Sequence, residues 1–238
     1  MNNPVVTTYV DAALEQLRRT GSMHYPGKPP EQMLAKTPTL PGDWFEWKPI
    51  PSTVTDADLN MLERETGLAY PPHYRDFLRY QHFIDLTEIG VRFAHHLRDK
   101  WSDELRELYF HSWMRERILD IGLLPFGSET FMDAGLVCFD TRYRDAHGDC
   151  PVVYWDHEWV GREKEIGSMF SSSAKMFECL TIVAENDTNF IYHDDDDDPA
   201  TLPQKRILLS RFLETDPEGT GGAGREYWTC WGVTPNLE

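Results

Sequence analysis

A chain of 238 residues with 40% hydrophobic side chains, eight tryptophans and twelve phenylalanines fills one large domain, or one medium domain with extensions. Forty acidic against twenty-three basic residues leave a formal charge of −17, a field that repels phosphate backbones and anionic lipid and argues against a nucleic-acid binder or a membrane-docking protein. Cys138, Cys150, Cys179 and Cys230 are widely spaced, with no Cys-x-x-Cys pair for zinc or redox chemistry, so they read as small buried hydrophobes of a reducing compartment. With no basic-then-apolar leader and no run of membrane-spanning length, a cytoplasmic protein is expected.

The first predicted element is a helix. Asn3 caps it, Pro4 suits its first position, and Val6, Val10, Ala13, Leu14 and Leu17 recur on one face before Arg18, Arg19 and the stop at Gly21. Residues 22–51 carry seven prolines and predict an extended connector between an N-terminal arm and the main domain. Within it, the alternation in Trp44-Phe-Glu-Trp-Lys predicts a short edge strand or a lid.

In the main domain Thr55 predicts an N-cap, with Asp56 and Asp58 in the first turn and Val54 and Leu59 at the staple positions. Leu59, Leu62 and Thr66 share a face up to the stop at Gly67. Leu68 and Tyr70 bury the corner, and Pro71-Pro72 starts a second helix with Tyr74, Phe77, Leu78 and Gln81 at helical spacing. Ile89–Phe93 reads as a short strand, and Trp101, Leu105, Leu108 and Ser112 as a helix running toward Ile118. The period then changes. Leu123–Gly127, Gly135–Asp140 and Pro151–Asp156 are apolar runs bounded by Gly, Pro and Asp, hence strands, the last two joined by the polar loop Thr141–Cys150. A helix over Ala174–Ala184 follows, with Ser173 as its cap. Strands that follow one another without crossover helices pair antiparallel, so the order predicts an α+β fold.

The residues Leu59-x-x-Leu62-Glu63, Gly67, Tyr70-Pro71, Tyr74 and Phe77-Leu78 resemble the N-terminal signature of the SMI1/KNR4 family, or SUKH superfamily. Leu124-Pro-Phe-Gly127, Cys138-Phe-Asp140, Pro151–His157 and a phenylalanine-bearing helix around Phe170–Leu180 continue it in order, over about residues 50–184. The resemblance implies a single α+β domain with a twisted, largely antiparallel sheet flanked by helices. It divides the chain into an N-terminal helix and Pro-rich connector (1–50), the family domain (51–184) and an extension (185–238) with an acidic loop, a helix and a Trp-rich end. Bacterial members are immunity proteins that neutralise toxins of contact-dependent or secreted systems, whereas fungal members regulate cell-wall synthesis and signalling. Neither group shares a catalytic constellation. Two departures stand out: Gln81-His82-Phe83 replaces the usual Asn-Gly turn, and a helix near 96–118 is inserted.

The remaining motifs have bland readings beside sharper ones. Asp194–Asp198 lacks the glycine and spacing of a calcium loop, which leaves a solvated acidic loop, or one that steers a basic partner. His95 and His96, with His82 and His111 nearby, could suggest a metal, but adjacent histidines on a helix point about 100° apart and rarely ligate one ion together. His157 beside Asp156 and Glu158 is the better cluster, and the bland reading of all of them is structural or exposed histidine. Gly219–Gly224 lacks the Lys-Ser/Thr of a phosphate loop and predicts a flexible turn, followed by Tyr227–Trp231 packing back as a terminal strand. Ser171–Ser173 shows no His/Asp partner and reads as a loop and helix cap. Phe131, Trp155 and Trp159 stand beside Asp133, Asp156 and Glu158, as in an interface hot spot or a tryptophan-rich core margin. The expected function is a non-catalytic protein-binding domain without cofactor or metal. It neutralises a basic toxin domain through Phe131, Asp133, Trp155, Asp156, Glu158, Trp159 and the loop residues Asp194, Asp195 and Asp196. The alternatives are a regulatory scaffold of the cell-wall or signalling type, and a hydrolase using Asp140, Asp156 and Glu158 with His157.

Overall fold

A computed structural model describes residues 3–35, 44–110, 117–130, 135–160, 165–186 and 202–229. The capping chemistry read from the sequence is realised in the first three helices. Helix α1 (Pro4–Thr20) starts at Asn3, whose side chain accepts the Val5 amide, and stops at the left-handed Gly21. A short hairpin-like pair follows, β1 (His24–Pro26) antiparallel to β2 (Trp44–Glu46), so the Trp44 segment is a strand, and Trp47 beyond it is buried. Strand β3 (Ile50–Pro51) leads to α2 (Asp56–Thr66), where Thr55 and Asp58 form a reciprocal capping box before Gly67 turns left-handed. Helix α3 (Pro72–Tyr80) opens at the diproline and buries Tyr74, Phe77 and Leu78.

Strand β4 (Gln81–His82) pairs back on β3. Residues 87–93 form a hairpin, not one strand: β5 (Thr87–Glu88) turns at the positive-φ Gly90 into β6 (Val91–Phe93). Helix α4 (Trp101–Phe110) buries Trp101 and Leu105, and its expected continuation through Ser112 lies outside the described residues. Strands β7 (Leu123–Ser128), β8 (Gly135–Asp140), β9 (Val152–Asp156) and β10 (Ile166–Phe170) complete a six-stranded sheet, ordered β10-β9-β8-β7-β6-β5, in which every neighbouring pair is antiparallel. The chain is a single α+β domain of this kind.

The Leu124-Pro-Phe-Gly127 motif owes its composition to β7's place inside the sheet. Proline cannot donate to a ladder, and β7 accommodates Pro125 at a register shift between Pro125 and Gly127. A side chain at Gly127 would collide with the Arg92 carbonyl, so only glycine lets β6 approach.

Alternation along the strands buries both faces. Leu124, Phe126, Val137, Phe139 and Val152 join the main core with α1, α3 and helix α5 (Ser173–Glu185), and Phe77 is 1% exposed at its centre. Leu123, Leu136, Cys138, Val153 and Trp155 pack on the other face beneath Ile118 and Leu108. Helix α1 contributes Val6, Tyr9, Val10, Ala13 and Leu14 to the main core and lies along α5, so it is part of the body of the domain.

Three expectations about the second half are corrected. The cap of α5 is Ser172, which accepts the Lys175 amide, because Ser173 is drawn inward to a buried carboxylate. Phe170 ends strand β10, a strand whose pattern is concealed by Gly167, where the Tyr154 ring takes the place of a side chain. Helix α6 (Leu202–Thr215) leads to a wide helical turn, Gly219–Ala223, and then to helix α7 (Arg225–Thr229), not a strand. The glycine-rich turn is held tightly. Buried Asp216 accepts the Gly219 amide (3.0 Å), the Ser171 amide (2.8 Å) and the Ser171 hydroxyl (2.5 Å). Tyr227 and Trp228 are buried, with the Trp228 indole donating to the Met169 carbonyl at 2.8 Å.

Candidate functional site

The sequence-predicted contact residues converge only in part. Asp156, Glu158 and Trp159 occupy the turn that leaves β9. The Asp156 carboxylate accepts the Glu158 amide at 2.8 Å, its carbonyl accepts the Trp159 amide at 3.2 Å, and its own amide donates to the Glu165 carbonyl at 2.8 Å. These bonds fix an exposed turn with an acidic side chain on Glu158 and an indole, Trp159, that is 39% exposed. Trp155 is corrected: strand alternation turns it inward, where it is 1% exposed among Leu123, Leu136 and Val153 and donates to Glu165 at 2.8 Å. It supports the turn from below and offers no surface. Phe131, Asp133, Asp194, Asp195 and Asp196 lie outside the described residues. The register Gly135↔Asp156 nevertheless brings the start of β8 to the same sheet end as the turn.

The hydrolase constellation does not form. Asp140 closes β8 at the end opposite Gly135 and Asp156, about 16 Å away at the usual rise per residue. Its buried carboxylate is taken by Arg142 in a two-pronged pair (both 2.7 Å) and also caps the short helical turn Thr141–Tyr143. An acid–base pair needs carboxylates within one substrate's reach, and Asp140 is too far from Asp156 and Glu158 to pair with either.

A second arrangement superficially resembles a triad. Asp149 is buried and accepts from the Cys150 amide (2.8 Å), the Ser173 amide (3.0 Å), the Ser173 hydroxyl (2.5 Å) and the Ala174 amide (3.2 Å), with His73 Nδ1 at 3.4 Å. Burial pushes its carboxyl up, but these donors outweigh it and hold the pKa at about 2, and the same contact raises His73. The serine donates to the carboxylate, not to the imidazole, so no base activates it. The cluster clamps the β8–β9 loop onto α3 and onto the positive end of α5. No sequence signal revealed it, because its members lie up to 100 residues apart.

The histidines also sort by geometry. His95 reaches Glu104 at 4.0 Å, whereas His82 and His96 stack within the core with ring centroids 4.6 Å apart. His111 lies outside the described residues, and among those described no three His, Cys, Asp or Glu side chains converge on one point. Burial pushes the Cys138, Cys150 and Cys179 thiols up, Cys150 to about 12, which leaves them poor nucleophiles. An open groove of about 580 Å³ between α1, α5 and α6 is lined by Thr8, Glu178, Arg211 and Glu214 among others, without a nucleophile beside a base. One exposed aromatic escaped the sequence reading: Tyr143 is 67% exposed, with the Arg142 guanidinium 5.5 Å from its ring centre.

In this α+β domain Asp140 and Asp149 are held in internal clamps, and one end of the sheet presents an exposed acidic and aromatic turn. The chain belongs to the SMI1 / KNR4 family (SUKH-1), whose model matches residues 53–179. That family is generally non-catalytic and is known for immunity-like proteins. No curated protein matches the chain. Among the described residues, no helix is long and apolar enough to cross a membrane.

Proposed function

We propose that this protein is a cytoplasmic immunity protein that binds and neutralises a cognate toxin domain, with the turn after β9 as the contact. The observation that carries this reading is the hydrogen-bonded turn Asp156–Trp159, which presents an indole beside acidic side chains at no further cost of ordering. A nuclease toxin holds phosphates with basic residues, so Asp156 and Glu158 act as phosphate mimics against such a surface. Trp159 is the apolar anchor, Asp133 and Phe131 border it in sequence before β8, and the run Asp194–Asp198 speeds encounter with a basic partner.

The test uses the protein retained by the tagged chain from its host lysate. Replacing Asp156 and Glu158 by Lys weakens its binding, because like charges then meet, whereas reversing Asp194–Asp198 slows association by a factor that shrinks as salt rises. If the Asp156/Glu158 reversal leaves affinity unchanged while the protein still protects, the contact surface is elsewhere.

A further inference from the structure

Two imidazoles buried against each other with no carboxylate between them are an uncommon use of histidine, and their hydrogen bonds fix which nitrogens carry protons. His82 Nε2 lies 3.0 Å from the Thr53 amide nitrogen. An amide only donates, so that ring nitrogen is a bare acceptor and the His82 proton sits on Nδ1, facing the His96 carbonyl at 3.1 Å. His96 Nδ1 lies 3.0 Å from the Gln81 carbonyl, which only accepts, and 3.2 Å from His82 Nδ1; with the His82 proton turned to the His96 carbonyl, the shorter contact to Gln81 assigns the His96 proton to Nδ1. That leaves His96 Nε2 a bare lone pair, fully buried with no partner.

Both rings are therefore neutral, and a second proton on either costs an existing hydrogen bond or an unpaired buried charge. A proton on His82 Nε2 would break the hydrogen bond from the Thr53 amide, with the Thr53 hydroxyl, 3.0 Å away, left to accept it. A proton on His96 Nε2 would be a buried, unpaired charge. The charged groups acting on the pair are Arg98, which opposes a positive His82, and Asp99, which favours it. Among the described residues, the pair also meets Thr53, Gln81, Phe83 and the Trp101 ring. Around this point three segments meet: β3 pairs with β4 at Ile50↔His82, Thr53 leads into α2, and Phe83 bridges His96 on the way to α4.

We propose that the His82–His96 pair is an acid-operated latch, which joins β3 and the entry to α2 to the segment before α4 when neutral and releases that junction when a proton enters. Burial drives the proton affinity of His96 down to about 3 and lowers that of His82. The sign follows. A histidine whose folded pKa lies below the unfolded value takes up its proton preferentially in the open state, so the closed state weakens as pH falls below about 6.5. For His96 alone the folding equilibrium constant falls about 70-fold between pH 7 and pH 4.5, close to tenfold per pH unit over most of that range.

Two measurements test it. Long-range nitrogen–proton NMR spectra of the whole protein at pH 7 show both rings with the proton on Nδ1, and the His96 signals hold still down to pH 5. Urea titrations at pH 7 and pH 4.5 show the wild type losing about 70-fold more folding equilibrium constant than His96→Leu. The latch is overturned if either ring carries its proton on Nε2, if folded His96 titrates near pH 6.5, or if wild type and variant lose equally. Should His96→Leu fail to fold, the wild-type spectra decide alone.

Discussion

Asp149→Asn tests the clamp that joins the β8–β9 loop to α3 and α5. The substitution keeps the side chain's shape, removes its charge, and leaves donors on Cys150, Ser173 and Ala174 facing a weaker acceptor. Asp149 is only 7% exposed as a side chain, so solvent screening subtracts little. A carboxyl held at about 2 against an ordinary 3.8 contributes about 2 kcal/mol at neutral pH. Its folded pKa is depressed, so that contribution is complete above pH 5 and disappears as pH falls through 3.8 toward 2. His73, raised by the same contact, works in the opposite sense: its share is complete below pH 6.5 and is lost as pH climbs through its folded pKa. The gap between wild type and variant in urea titrations is therefore widest between about pH 5 and 6.5 and narrows on both sides. A gap below about 0.5 kcal/mol at pH 6, or one indifferent to pH, would refute the assignment of Asp149 as the charged centre of the clamp.

Phe77→Ala removes a ring that lies 4.6 Å from Phe93, 5.3 Å from Phe83 and 5.3 Å from Phe177 between centroids, and it destabilises by about 3–5 kcal/mol in the same titration. A loss under about 1.5 kcal/mol means the aromatic core collapses around the void. Gly90→Ala strains a position at φ +74° and brings a methyl to 2.6 Å from the Tyr227 hydroxyl and 3.2 Å from Met169. It costs at least about 1 kcal/mol and displaces α7, read as increased exposure of the Trp228 fluorophore.

The helical half was legible because local rules governed it. Asn3, the Thr55–Asp58 box, Gly67 and the diproline act within one turn of chain, and the structure adds nothing to their sequence meaning. Strands β7, β8 and β9 were legible because continuous apolar runs mark strands buried on both faces. The same double burial hid the truth about Trp155: an aromatic beside acids looks like surface until the register assigns its side of the sheet. Strand β10 escaped because Gly167 gives its side-chain place to a tyrosine from β9, and α7 because its five residues carry no periodicity. The Asp149 clamp and the stacked histidines are products of tertiary contact alone, assembled from segments that share no local pattern.

The C-terminal segment closes an exposed margin of the sheet. The Trp228 indole on the Met169 carbonyl and Gly224 pressed against Met169's backbone cover part of the outer rim of β10, an edge that would otherwise be open to a foreign chain. The family match, residues 53–179, stops short of that seal and begins after α1, whose Tyr9 rests against Phe77, Phe93 and Phe177. The stretch recognisable by kinship is thus smaller than the stretch that folds. A fragment trimmed to the matched residues would bare an aromatic floor on one side and a sticky strand on the other. Ancestry and autonomy have different borders in this chain.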